Sequence, residues 1–298
     1  MKGGRFFLWQ ALLVTFLWSI SKIIIKFGLV LISPYALVSA IQLVTLLTLS
    51  VYYLIKKPEL VWRKEPQWAT ALVLMGIIGF VAAPLFTIVG LSYVTGTVAG
   101  LFAGLSSTLV MVLAWMILRE KPTVIQIFGL AIAFAGATIF LNNQLFSGAL
   151  GGILLIFLAE ISYALNTVLI RLLSREPGKE AFTLAWYGSL IGTICLLPIG
   201  LMSGDLPLAF TGLRLWIVVL IGIIFALAGL MWNTALDKLK AIEVAILQNT
   251  MLIQISFLSV VFLHEKIALQ HILGGIIVLI GAYLVESRLL LRSKKYGT

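Results

Sequence analysis

LREKPTVIQIFGLAIAFAGA (118–137) is answered by LHEKIALQHILGGIIVLIGA (263–282), 145 residues further along. Leu118, Glu120, Lys121, Gly129, Ile132, Gly136 and Ala137 recur as Leu263, Glu265, Lys266, Gly274, Ile277, Gly281 and Ala282. The same offset carries Trp18 onto Tyr163 and Lys26 onto Arg171. A period this long exceeds that of a solenoid and suits an internally duplicated membrane protein. The predicted organisation is a first repeat over 1–145 and a second over 146–298.

Composition fixes the environment. Of 298 residues, 61% are hydrophobic and 11% charged, and the mean hydropathy is +1.14. A soluble domain carries about 25% charged residues, so this chain lacks the means to cover itself with a solvated surface. Its apolar runs approach the ~20 residues that a bilayer-crossing helix needs. Ten spans are predicted, near 6–28, 34–55, 67–89, 95–117, 123–141, 149–171, 180–202, 213–235, 241–263 and 268–287. The fold class is an all-α membrane protein. The opening apolar run reads as the first span rather than a cleaved signal.

Pro34, Pro122 and Pro198 are expected at or near helix ends, whereas Pro84 falls inside the third span and should kink it. The single cysteine, Cys195, lies in an apolar run and reads as a small buried hydrophobe. The net charge of +10 would suggest a nucleic-acid partner in a soluble protein. Here topology explains it. Seventeen of the 21 Lys and Arg fall on the side holding both termini, leaving Lys22, Lys26, Arg214 and Lys266 on the other. The positive-inside rule then places both termini in the cytoplasm and requires an even number of spans. Five spans per repeat is an odd number, so the copies cross in opposite senses. Inverted repeats place a binding site near the midplane, between the halves.

Thr15, Trp18, Lys22 and Lys26 share one helical face of the first span, and Glu160, Tyr163, Thr167 and Arg171 share one of the sixth. Charges within lipid-length segments are costly when exposed, so both stripes should face a common interior. Glu160 lies near the membrane centre. It reads either as a proton-coupling or cation-binding carboxylate or as a protonated structural partner. From helical rise, Lys22 sits on the order of 10 Å off the level of Glu160, so a pair would be stretched; snorkelling to the interface is the rival. Lys26 and Arg171, at span ends, read as snorkelling.

The ninth span adds Glu243, Leu247, Thr250 and Gln254 on one face, with Asn249 adjacent. Amides there serve equally as interhelical bonds or substrate ligands. Gly96, Gly100 and Gly104 form a small-residue packing face in the fourth span. Trp232 and Asn233, with Phe86 and Thr87, are further cavity candidates. Trp9, Trp62, Trp68 and Trp216 read as interface belt. His264 and His271 lack companions at zinc-ligand spacing, so no metal or cofactor is expected. Without a Walker A motif, ATP hydrolysis by that route is excluded.

The doubled Glu-Lys before a glycine-spaced final span resembles the drug/metabolite transporter superfamily, in particular its EamA-like branch. Trp18–Ser19, Lys26, Glu120, Glu265, Gly274 and Gly281 carry the resemblance. It implies ten spans as two five-helix repeats, movement of small metabolites, often amino-acid export, and a cavity lined by spans 1, 3, 4, 6, 8 and 9. Glu120 and Glu265 are implied to be structural caps joining consecutive helices.

The expected function is a secondary transporter for a small polar or amphipathic solute, working by alternating access across a bacterial inner membrane. Trp18, Lys22, Glu160, Tyr163, Asn166, Trp232, Asn249 and Gln254 are the expected substrate contacts, with Glu160 as the coupling-proton candidate. Lys22 would meet a carboxylate and Glu160 an amino group, which makes a zwitterion such as an amino acid the first hypothesis. The alternatives are a carrier for a nucleotide-linked or lipid-linked substrate, an importer, or, from a different class, a membrane-embedded enzyme. The expected partners are a small molecule and the lipid bilayer, with no nucleic acid.

Overall fold

The computed structural model describes residues 2–61, 63–118, 123–141, 149–173, 177–236 and 241–295. The described residues are mostly helical, with no strand among them. In chain order they form α1 (Lys2–Leu29), α2 (Pro34–Lys56), α3 (Pro66–Gly76), a π-helical segment (Ile77–Ala82) and α4 (Ala83–Leu91). Then follow α5 (Gly96–Leu118), α6 (Val124–Leu141), α7 (Leu150–Leu173) and α8 (Pro177–Met202). A 3-10 turn at Leu206–Phe210 leads to α9 (Gly212–Leu236), α10 (Ala241–Leu263) and α11 (Leu269–Lys295). Eight helices are long and apolar enough to cross a bilayer, and two shorter apolar helices lie at Leu247–Leu263 and Leu269–Val285. The protein is an integral, multi-pass membrane protein. Each expected span falls on a helix, α3, the π segment and α4 together making the third.

The sequence explains the helix ends. Ser33 caps α2, its hydroxyl oxygen accepting from the Ala36 N–H at 3.2 Å, and Pro34 follows at the first helical position. Asp205, in the α8–α9 connection, accepts from the Ser33 N–H at 2.6 Å and the Ser33 hydroxyl at 2.7 Å. Pro84 has no N–H to offer the carbonyl of Phe80 four residues back. That carbonyl lies against Gly192 of α8, and the expected kink takes the form of the π-helical segment.

The tightest packing joins α6 to α11. A Cβ on Gly129 would meet the Gly281 carbonyl at 2.8 Å, and one on Gly281 would meet the Gly129 carbonyl at 2.7 Å. A Cβ on Gly136 would meet the Gly274 carbonyl at 2.8 Å, and one on Gly274 would meet the Gly136 carbonyl at 2.7 Å. Higher numbers on one helix face lower numbers on the other, so the two run antiparallel. Only glycine allows main chains so close, the small-residue packing that serves membrane helices in place of a hydrophobic drive. α5 and α10 cross likewise: Gly96 faces Ser259, Gly100 faces Ile255 and Gly104 faces Leu252.

Pro198 lies near the end of α8, inside its last two turns. Four local expectations change. Cys195 is exposed on the outer face of that helix, where an apolar run meets lipid instead of core. Trp68 is buried against Leu72, Met75, Leu173 and Leu184 instead of joining the interface belt, although Trp9 and Trp216 are exposed as expected. Lys26 does not snorkel: its ammonium donates to the carbonyls of Leu91 at 2.9 Å and Val94 at 2.6 Å, where α4 ends. A cation is favourable at a helix C-terminus. Glu265 does cap a helix, but not a consecutive one. Its carboxylate accepts from the N–H groups of Gly96 at 2.7 Å and Thr97 at 3.0 Å, and from the Thr97 hydroxyl, at the start of α5. Glu120, Lys121, Pro122 and Trp62 lie outside the described residues, as do the side chains of Arg171, Asn233 and Glu243.

Candidate functional site

α1 is the hub of the candidate site. Its polar stripe turns inward: Thr15 and Ser19 are fully buried and Lys22 is 9% exposed. From α7, Glu160 is 4% exposed. The Lys22 ammonium donates to Glu160 Oε1 at 3.1 Å, so the two form a buried ion pair. The axial offset that made this pair look stretched is taken up by the lysine's flexible four-carbon stem.

The same helix reaches α9 and α10. The rings of Trp18 and Trp232 lie 5.2 Å apart at 57°, and Trp232 is buried. A tilted pair at this distance is a favourable aromatic arrangement. Gln254 of α10 is tied to α1 at both ends of its amide. Its Oε1 accepts from the Ser19 hydroxyl at 2.9 Å, and its Nε2 donates to Thr15 Oγ1 at 3.3 Å and Thr250 Oγ1 at 3.1 Å. One turn away on α10, the carbonyl oxygen of buried Asn249 accepts from the Ser107 hydroxyl of α5 at 2.8 Å.

The remaining candidates line α7. Tyr163 is half-buried on α7. Asn166 presses its amide onto Gly79 in the π-helical segment, where a Cβ would require that amide to move. The buried Asn166 Oδ1 has no hydrogen-bond partner among the described residues. An orphaned buried acceptor is uncommon enough to need an explanation.

All eight candidates therefore lie on α1, α7, α9 and α10, and their contacts also draw in α5 and the π segment. Chemically the ensemble offers one cation, one carboxylate, three carboxamides, three large aromatics and several hydroxyls. Those groups suit a solute carrying both charges and an apolar portion; they do not form a nucleophile-and-base arrangement. Sequence reasoning passed over Ser107 and Gly79. Ser107 lies three residues beyond Gly104, on the glycine face of α5, and that spacing was the available signal. Gly79 had none, because its importance comes from a π segment that sequence spacing does not announce.

Comparison with known proteins adds a family. The EamA-like transporter family matches residues 5–142 and, again, residues 150–287, the second match beginning and ending 145 residues after the first. An uncharacterized transporter of Archaeoglobus fulgidus is 26% identical over 282 residues, covering 92% of this chain and 96% of the relative. The uncharacterized transporter YyaM of Bacillus subtilis is 25% identical over 252 residues, covering 82% and 79%. A solved structure described only as the crystal structure of a protein superposes with a TM-score of 0.62 over 99% of both chains at 15% identity, a likeness of fold.

Proposed function

Because this chain belongs to the EamA-like transporter family, we propose that it is a secondary transporter that exports a small zwitterionic metabolite, such as an amino acid, by alternating access. The observation that carries this reading is the buried ion pair of Lys22 and Glu160, one partner from each half of the chain. Removing one member of a buried pair costs about 3–5 kcal/mol, because the other is left as an uncompensated charge. The two helices therefore resist separation in the absence of solute. A molecule that presents a carboxylate to Lys22 and an ammonium to Glu160 removes that penalty, and the halves can part around it. Protonation of Glu160 discharges one side of the pair and offers a route for proton coupling.

Two inverted five-helix repeats supply the motion. The contacts of α6 with α11 support this, since Gly129 meets the counterpart of Gly136 while Gly136 meets the counterpart of Gly129. The α5–α10 crossing has the same reciprocity: Gly104 meets Leu252 and Ser107 meets Asn249, and each pair maps onto the other under the 145-residue offset. Reciprocal contact between unlike positions is what a two-fold axis in the membrane plane generates. Asn249, Gln254, Tyr163 and Asn166 would read the polar part of the solute, and Trp18 with Trp232 its apolar part. The cytoplasmic placement of both termini in a bacterial inner membrane rests on the distribution of Lys and Arg.

The test is counterflow of radiolabelled amino acids in proteoliposomes across an imposed pH gradient. Saturable uptake by the wild type, lost or stripped of its pH dependence in Glu160→Gln, is the expected result. Normal, pH-sensitive transport by Glu160→Gln removes Glu160 from the mechanism. Selectivity for nucleotide-linked or other polyanionic solutes would overturn the zwitterion assignment.

A further inference from the structure

The two ends of the molecule are packed differently. At the end where α1 stops, Ile25 of α1, Leu91 of α4, Leu101 of α5, Ile156 of α7, Leu196 of α8 and Val218 of α9 belong to one continuous buried core. At the end where α1 begins, the core of the described residues falls into separate groups. α1 and α9 share one, joined by Leu247 of α10; α3, α7 and α8 share a second; α2, α8 and α9 share a third. Among the described residues, no core group at that end joins α1 to α7. Exposure follows the same division. From the Lys22–Glu160 pair toward the end where α1 begins, Trp18, Tyr163 and Gln254 are partly exposed. Toward the other end, Ile23, Ile25 and Ile156 are at most 2% exposed.

Lys26 spans the sealed end. It lies one turn beyond Lys22 on α1, and its ammonium donates to the carbonyls of Leu91 at 2.9 Å and Val94 at 2.6 Å, where α4 ends. The last carbonyls of a helix lack intrahelical partners and carry partial negative charge. A cation from a neighbouring helix therefore binds them without a carboxylate, and both sides can be released to water and re-joined. We infer that Lys26 is the gate of this end. Its bonds to α4 hold the present conformation, closed there and divided at the opposite end. Their release lets α1, with α9 and α10, swing away from α4 while the divided end closes. The inference rests on the transporter reading above, but its test needs no solute.

The experiment is pulsed electron–electron spin resonance on the full-length protein in lipid nanodiscs, with the exposed native thiol removed by Cys195→Ser. Spin labels on Val30→Cys and Tyr93→Cys, both exposed just past the ends of α1 and α4, report the gated end. Labels on Trp9→Cys and Leu172→Cys, exposed on α1 and α7, report the other. Lys26→Met should raise the ratio of open to closed distances at the gated end about 10- to 100-fold, the span of one hydrogen bond to a charged group. The second pair should shorten at the same time. Lys26→Arg, which keeps a cationic donor, should stay near wild type. Unchanged distances at the gated end in Lys26→Met overturn the gate. Widening there without shortening at the other end also overturns it, because that is fraying of a helix end. A shift in Lys26→Arg as large as in Lys26→Met overturns the role of the charge. A wild-type distribution already dominated by open distances at the gated end overturns the closed assignment, and this arm needs no Lys26 variant to fold. The zwitterion reading stands or falls on counterflow and Glu160→Gln, so the two failures are distinguishable.

Discussion

Lys22 and Glu160 stand 138 residues apart in the chain and 3.1 Å apart in the fold. Both are buried, so the pair is held by mutual compensation. Lys22→Met and Glu160→Gln should each lower stability by about 3–5 kcal/mol, while the double substitution should cost less than their sum. Thermal unfolding in detergent of the two single variants and the double variant measures the coupling. Additive losses would show that the charges do not sense one another.

Gly281 sits where its α-carbon leaves no room beside Ala133 and the Gly129 carbonyl of α6. Gly281→Val should abolish accumulation of monodisperse protein, because main chain cannot yield as a flexible side chain does. Gly151→Val is the control: nothing lies within 4 Å of a Cβ there. Fluorescence-detected size exclusion of the two variants should separate them cleanly.

Glu265 satisfies the first N–H groups of α5 from the connection between α10 and α11. Glu265→Ala should cost about 1–2 kcal/mol, the usual range for a lost N-terminal cap. Thr97→Val should cost less, and the two losses should not add because they share one network. Thermal shifts of the three variants read this directly.

Asp205 answers to pH. Partial burial pushes its carboxyl up, but donation by the Ser33 N–H, by the Ser203 and Ser33 hydroxyls and by its own backbone outweighs this and holds it below its ordinary 3.8. A carboxylate with a depressed folded-state value adds stability above pH 3.8, and loses it as the pH falls through that lower value. Wild type should therefore exceed Asp205→Asn in melting temperature at pH 5 to 7. The gap should close as the pH drops below 3.8. A gap that persists unchanged at acid pH would assign Asp205 a packing role only.

Much of the fold was legible because a membrane imposes its own periodicity. Backbone groups in lipid must bond internally, so every long apolar run had to be helix, and the span boundaries followed to within a few residues. Glycine spacing marked a close-packing face on α5, since close approach in lipid selects small residues, but it named neither α10 as the partner nor the α6–α11 seam. The inward turn of Thr15 and Glu160 was readable for the same reason. What escaped was specific to three dimensions. Trp68 sits near a helix end, where lipid belt and protein interior look alike in a string of letters. Glu265 was read along the chain, yet its donors are the N–H groups of Gly96 and Thr97, some 170 residues upstream. The direct contact of Lys22 with Glu160 depends on side-chain reach, which helical rise does not include.

The α6–α11 seam has a mechanical corollary. Where backbone abuts backbone there is no rotamer to flip and no soft methylene to compress, so these two helices are joined like a welded hinge pin. Under the alternating access proposed above, rocking would pivot there and be absorbed elsewhere, through contacts such as Gln254 with Ser19, where amides and hydroxyls can let go and re-form.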